Sequence, residues 1–124
     1  MVASKKSEKK VPRPRALGIP KRFEVFLVNL DPTLGAEITK TRPCVVVSPD
    51  EANAYIRTVV VAPLTTGSHH YPTRVPCMFQ RKAGHVVIDQ LRTVDRVRLV
   101  RKLGTLDPSA QTAVLQTLAD FFAP

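Results

Sequence analysis

Thr105-Leu106-Asp107-Pro108-Ser109-Ala110-Gln111-Thr112-Ala113-Val114-Leu115-Gln116-Thr117-Leu118-Ala119-Asp120-Phe121-Phe122 is the stretch where the chain changes period. Asp107 suits an N-cap, because its carboxylate can accept from the amides of the first turn, and Pro108 suits the first helical position, where its missing N–H costs nothing. Ala110, Val114, Leu115, Leu118 and Phe122 recur at helical spacing and give one apolar face. A C-terminal helix follows, expected to cover an open end or face of whatever precedes it.

What precedes it reads as short strands. Phe23–Leu30 is aromatic and β-branched, and Asp31-Pro32 closes it. Pro43–Ser48 contains Val45-Val46-Val47, a run suited to a strand buried on both faces, and Thr58–Leu64 has the same character. Thr73–Gln80 carries Pro76, which has no N–H for a ladder, so it should be an edge or bulged strand. His85–Leu91 is a further buried run opened by Gly84, and Arg96–Leu103 supplies a last short strand. Strands first and a helix last imply an α+β domain on a small antiparallel sheet or barrel.

With 124 residues, 44% of them hydrophobic, the chain has material for one core. The net charge of +9 is unevenly placed. Residues 1–22 carry eight Lys/Arg against one Glu, a net +7, whereas the other 102 residues carry eleven basic and nine acidic groups, a net +2. The first segment also holds Pro12, Pro14 and Pro20 and almost no large apolar residue, so residues 1–22 are expected to be a disordered basic tail and the folded domain to run from 23 to 124. Such a tail can attract phosphate backbones through counterion release, or can simply be a solvated arm. No apolar run reaches the ~20 residues of a membrane-spanning helix, and the basic start lacks the apolar segment of a secretory signal, so a cytoplasmic location without membrane contact is the expectation.

Cys44 and Cys77 sit in strand-like segments and read as small buried hydrophobes rather than as a disulfide. A zinc site would need four clustered ligands, and beyond the cysteines the chain offers only His69, His70 and His85, with no CxxC or HExxH spacing. Neither a metal nor another cofactor is therefore expected.

The loop Asn29–Pro43 is the stretch richest in possible chemistry, with Glu37 and Arg42 five residues apart. On chemistry alone the two could equally form a surface ion pair. Asp31-Pro32-Thr33, Gly35, Glu37 and Arg42-Pro43 are followed in order by Val45–Asp50 (VVVSPD), Ala62–Thr66 (APLTT), Tyr71–Val75 (YPTRV) and Ile88–Arg96 (IDQLRTVDR). This series resembles the MazF/PemK toxins of bacterial type II toxin–antitoxin pairs, colinearly from about Arg22 to the C-terminus. The resemblance implies an SH3-like β-barrel with a C-terminal helix and a homodimer. It also implies a sequence-specific endoribonuclease that cuts single-stranded RNA without metal, leaving 2′,3′-cyclic phosphate and 5′-hydroxyl ends. The partner would be an antitoxin that lays an acidic C-terminal segment over the RNA groove.

Residue by residue, Arg42 matches the family's catalytic arginine and Thr65 its catalytic threonine, although a threonine there can also be an ordinary turn hydroxyl. Glu37 matches an acidic residue that some members use as general base, the alternative being structural support. Asp89 matches an aspartate proposed as base in the PemK-like branch. That branch has an arginine two positions earlier, where this chain has Val87, so Asp89 is expected to anchor loops instead. Thr66, His69, His70, Gln90 and Arg92 are candidate RNA contacts. Imidazole titrates near neutrality, and either loop histidine could serve the leaving oxygen. Arg92, Arg96, Arg98, Arg101 and Lys102 form the densest basic run outside the tail; RNA, an antitoxin's acidic segment or plain solvent could each face it. Two other functions remain open: a non-catalytic, CcdB-like gyrase-binding toxin of the same fold class, and a nucleic-acid-binding module working through its tail.

Overall fold

A computed structural model describes residues 18–67 and 70–124. Seven antiparallel strands are present: β1 (Glu24–Asn29), β2 (Thr41–Val46), β3 (Thr58–Thr65), β4 (Arg74–Phe79), β5 (Lys82–Val87), β6 (Arg92–Asp95) and β7 (Leu99–Thr105). One helical turn, α1 (Asp50–Asn53), follows β2, and α2 (Pro108–Phe122) ends the chain. The strand order is β4-β5-β3-β2-β1-β7, with β6 also paired to β3. The early half of β3 pairs β6 and its last two residues pair β5, so consecutive strands share one edge of β3. The sheet curls into a half-barrel. Phe79 at the tip of the β4–β5 hairpin lies against Gly104 of β7, and Gln80 Nε2 donates to the Leu103 carbonyl at 3.5 Å. The two ends of the strand order thus approach each other.

The period-2 alternation of the apolar strands divides them between two cores. Val25, Val45, Ala62 and Leu64 face one, with Leu106, Ala110 and Val114 of the helical end closing it. Phe26, Val28, Cys44, Val46, Val59 and Val61 face the other, beside Val94 and Leu99. This is why the valine runs tolerate no polar residue: both faces of β1, β2 and β3 are covered. Asp107 caps α2 by accepting from the Ala110 amide at 3.2 Å, with Pro108 as the first helical residue.

Several boundaries differ from expectation. Residues 1–17 lie outside the described residues, but Pro20 is buried, and Arg22 donates its amide to Asp50 and its Nε to the Val47 carbonyl. The ordered chain therefore begins a few residues before Phe23. The run His85–Leu91 ends as a strand at Val87 and turns through a 3-10 segment, Ile88–Gln90. The single strand expected over Arg96–Leu103 is instead a 3-10 turn, Arg96–Arg98, followed by β7, because the Asp95 side chain accepts from the Val97 amide and bends the chain there. In α2, Leu115 is 40% exposed and Phe122 69% exposed; the inward face is Ala110, Ala113, Val114 and Leu118. Pro76 does stand in β4, at the end of the sheet.

Candidate functional site

β2 and β3 are held in register at Val46↔Val61, Val45↔Ala62 and Cys44↔Pro63, and there the ladder stops. Pro43 stands at the next hydrogen-bonding position and has no N–H to continue it. Carried two residues further, the same register sets Arg42 across from Thr65. Between them the strands part, and a cleft of about 510 Å³ opens, lined among others by Glu37, Arg42, Thr65, Thr66, Lys82 and Gly84. The four strongest candidates from the sequence are thus gathered in one place. Arg42 is exposed and lines the cleft, and its Nε donates to the Thr39 carbonyl at 3.1 Å, which steadies the guanidinium. A planar donor set of this kind can take two oxygens of a phosphate at once.

Glu37 is tied into its own loop. Its Oε1 accepts from the Leu34 amide at 2.7 Å, and its amide donates to the Leu34 carbonyl at 3.1 Å, around Gly35 at φ +56°. The loop is closed below by Asp31, whose Oδ1 accepts from the Lys40 amide at 2.9 Å, and by Leu30 N donating to the Lys40 carbonyl at 3.0 Å. Gln90 Oε1 accepts from the Ile38 amide at 2.8 Å. Residues 36–38 therefore form a wall between the cleft and a second hollow of about 480 Å³, lined by Glu37, Ile38, Asp89, Gln90 and Arg92 among others.

The basic run takes a role that its sequence did not suggest. Arg92 NH1 donates to the Leu30 carbonyl, and Arg98 NH1 donates to the carbonyls of Asn29 at 3.1 Å and Asp31 at 2.5 Å. Three successive carbonyls at the root of the Glu37 loop are thus held by two guanidinium groups, one from β6 and one from the turn that leads into β7, the neighbour of β1. Arg96 likewise donates to the carbonyls of Asn53 and Ile56 behind α1. Asp89 anchors a loop, as expected: it accepts from Thr73 Oγ1 at 3.0 Å and pairs with Arg74 through two contacts at 3.2 Å. The Arg74 guanidinium, itself stacked 4.8 Å over the Tyr71 ring, holds the Asp89 carboxyl below its ordinary range.

Thr65 is set from the other side by β5. It pairs with His85 in the ladder, and Gly84 lets β5 come so close that an added Cβ would lie 2.1 Å from the Thr65 carbonyl oxygen. His70 is exposed and stands edge-on to His85, with ring centroids 5.3 Å apart; His69 lies outside the described residues. Cys77 borders the cleft and Cys44 is buried; burial pushes both thiols up, Cys44 to about 12, so neither is nucleophilic at neutral pH. Lys82, Gln80 and Phe79 also line the cleft. Nothing local in the sequence singles out Lys82 or Gln80, because the fold of the β4–β5 hairpin brings them to the site. Among the described residues no three His, Cys, Asp or Glu side chains gather as metal ligands.

A curled antiparallel sheet, a terminal helix and a basic, hydroxyl-lined cleft at parted strand ends define a class of small α+β half-barrel proteins. Comparison with known proteins places the chain within it. Residues 21–122 match the family described as the PemK-like, MazF-like toxin of type II toxin–antitoxin systems, and the chain belongs to that family. It is 34% identical over 100 residues to Endoribonuclease MazF of Staphylococcus epidermidis, covering 76% of this chain and 83% of the relative. Among solved structures it is similar to MazF of Deinococcus radiodurans (TM-score 0.73, 25% identity, 83% of this chain and 96% of that one). It is also similar to a mycobacterial endoribonuclease solved with its cognate antitoxin (TM-score 0.69, 26% identity, 82% and 92%).

Proposed function

We propose that this toxin is an endoribonuclease that cleaves single-stranded RNA by using the RNA's own 2′-hydroxyl as nucleophile. The 2′-oxygen attacks phosphorus, the bond to the 5′-oxygen breaks, and the products are a 2′,3′-cyclic phosphate and a 5′-hydroxyl. A base must take the 2′-proton, an acid must supply the leaving oxygen, and positive charge must meet the phosphorane. The observation that carries this reading is the placement of Arg42 across from Thr65 on one open cleft. Arg42 holds the phosphate oxygens, and the Thr65 hydroxyl donates to the same group. Glu37, on the same cleft, is the candidate base through the oxygen not committed to Leu34. Thr66, Gln90, His69 and His70 are the candidate RNA contacts, whereas Arg92, a candidate on sequence, takes a structural role through its bond to the Leu30 carbonyl. No step requires a metal or cofactor.

The gyrase-binding alternative has no use for this Arg/Thr cleft. A homodimer is part of the proposal, supported by the exposed Leu115, Phe121 and Phe122 on α2. So are a cytoplasmic location and an antitoxin that inhibits by laying an acidic segment over the basic cleft; among the described residues no helix is long and apolar enough to cross a membrane. The test is cleavage of a long single-stranded RNA in EDTA, with end groups mapped. Cleavage should persist in EDTA and stop where the scissile nucleotide is 2′-deoxy. A strict Mg²⁺ requirement, or cutting at the deoxy position, would refute the mechanism.

A further inference from the structure

The end of β3 is where the candidate hydroxyls lie, and two consecutive residues of β5 fasten it. Gly84 permits backbone contact with the Thr65 carbonyl. His85, buried and paired with Thr65, places its Nδ1 2.8 Å from the Gly67 carbonyl oxygen. A carbonyl only accepts, so Nδ1 must carry the proton, and the imidazole is fixed as its Nδ1–H tautomer. Its Nε2 is buried with no hydrogen-bond partner among the described residues. A leucine or valine would fill that space without a lone buried nitrogen, so packing alone does not call for histidine. The one bond that histidine makes here goes to the residue two beyond Thr65.

We infer that His85 is a positioning residue for the cleavage reaction: its Nδ1–H bond to the Gly67 carbonyl holds Thr65-Thr66-Gly67 so that the Thr65 hydroxyl points at the phosphate. The inference rests on the proposed role of Thr65. Without the bond, Thr65 keeps its backbone pairing with β5, but Thr66-Gly67 loses its side-chain anchor and the hydroxyl loses its aim. A misplacement of about 1 Å in a reacting group can cost ~10²-fold in rate. The loss falls mainly on turnover, because Arg42, which holds the phosphate in the proposed reaction, lies on β2 and Gln90 lies after β5; Thr66 shares the segment, so a small rise in KM accompanies the loss.

Full-length protein carrying His85→Leu and His85→Asn is compared with wild type in turnover and KM on one RNA with a mapped cleavage site. Asn places a donor where Nδ1 stands, because both atoms are bonded to Cγ. His85→Leu should turn over at least ~10-fold more slowly with KM changed less than about twofold, and His85→Asn should recover most of the rate. Wild-type turnover in His85→Leu, or equal loss in both variants, overturns the inference. If His85→Leu does not fold, long-range ¹⁵N–¹H spectra of the wild-type imidazoles decide: a protonated Nδ1 at His85 is expected, and a protonated Nε2 overturns the positioning bond. Thr65→Val separates the two levels. If Thr65→Val cuts at the wild-type rate, the site assignment fails; if it is slow while His85→Leu is normal, only the role of His85 fails.

Discussion

Arg42 on β2 stands across from Thr65 on β3, two residues beyond the last bonded pair, Cys44↔Pro63. Pro43, at the next hydrogen-bonding position of β2, has no N–H to carry the ladder further. A continuous ladder would have closed the sheet edge to edge and left no cleft. The same break therefore opens the cleft that Arg42 and Thr65 both line.

In the proposed reaction Arg42 supplies positive charge to the phosphorane. Arg42→Ala should keep the fold, because the side chain is exposed and its one bond is to Thr39, and should cut RNA at least ~10²-fold more slowly. Arg42→Lys should recover little, since an ammonium cannot present two parallel donors. The measurement is single-turnover cleavage alongside a thermal melt; fast cutting by a folded Arg42→Ala would remove Arg42 from the site.

Thr65 offers a hydroxyl and Val offers the same shape without one. Thr65→Val should slow cleavage by roughly 10²-fold, the scale of a lost transition-state donor, while Thr65→Ser restores most of it. Equal rates for the Val and Ser variants would mean that the residue matters for shape alone.

Much of this was legible in the chain. The alternation of valines foretold strands with two buried faces, and Asp107-Pro108 marked the start of α2. Arg42, Thr65 and Glu37 could be matched by order along the sequence. The arginines at 92 and 98 could not be read that way, because a guanidinium reaching a backbone carbonyl more than 60 positions away leaves no local pattern. Gly84 read only as the opener of a strand, since the carbonyl it accommodates comes from β3. Leu115 and Phe122 fit a helical stripe, but the core takes up only Ala110, Ala113, Val114 and Leu118.

Gly84→Ala tests the close approach of β5 to β3. The new methyl would lie 2.1 Å from the Thr65 carbonyl oxygen and 3.1 Å from its carbonyl carbon, so backbone must move. Overpacking of this kind costs about 1–3 kcal/mol. The variant should melt lower and cut more slowly, and an unchanged melt with unchanged cutting would mean that the strands are further apart.

Asp89 gives a pH signature. Its folded-state pKa is lowered, chiefly by the bond from Arg74, so its stabilisation is present above the ordinary carboxylate pKa and is lost as pH falls through the depressed value. Asp89→Asn should therefore be less stable than wild type at pH 7, with the difference shrinking in acid below about pH 4. Denaturant midpoints at pH 7 and pH 3 check this; a difference that grows in acid would contradict the pairing.

Arg92 distinguishes a structural cation from an RNA-binding one. Its NH1 donates to the carbonyl of Leu30, a residue that is 1% exposed. Arg92→Met keeps the aliphatic length and removes the donor, leaving a carbonyl unpaired at a cost of about 1–3 kcal/mol. In a domain of this size each kcal/mol lowers Tm by roughly 4–8 °C. Had Arg92 served RNA phosphate instead, the variant would melt as wild type, bind RNA more weakly and show a salt dependence shallower by about one unit of log–log slope. Melting curves and RNA binding across a salt series thus give opposite patterns for the two roles. The bond to Leu30 at the root of the Glu37 loop predicts the first: a lowered Tm, an unchanged salt slope, and slower cutting as the loop loosens.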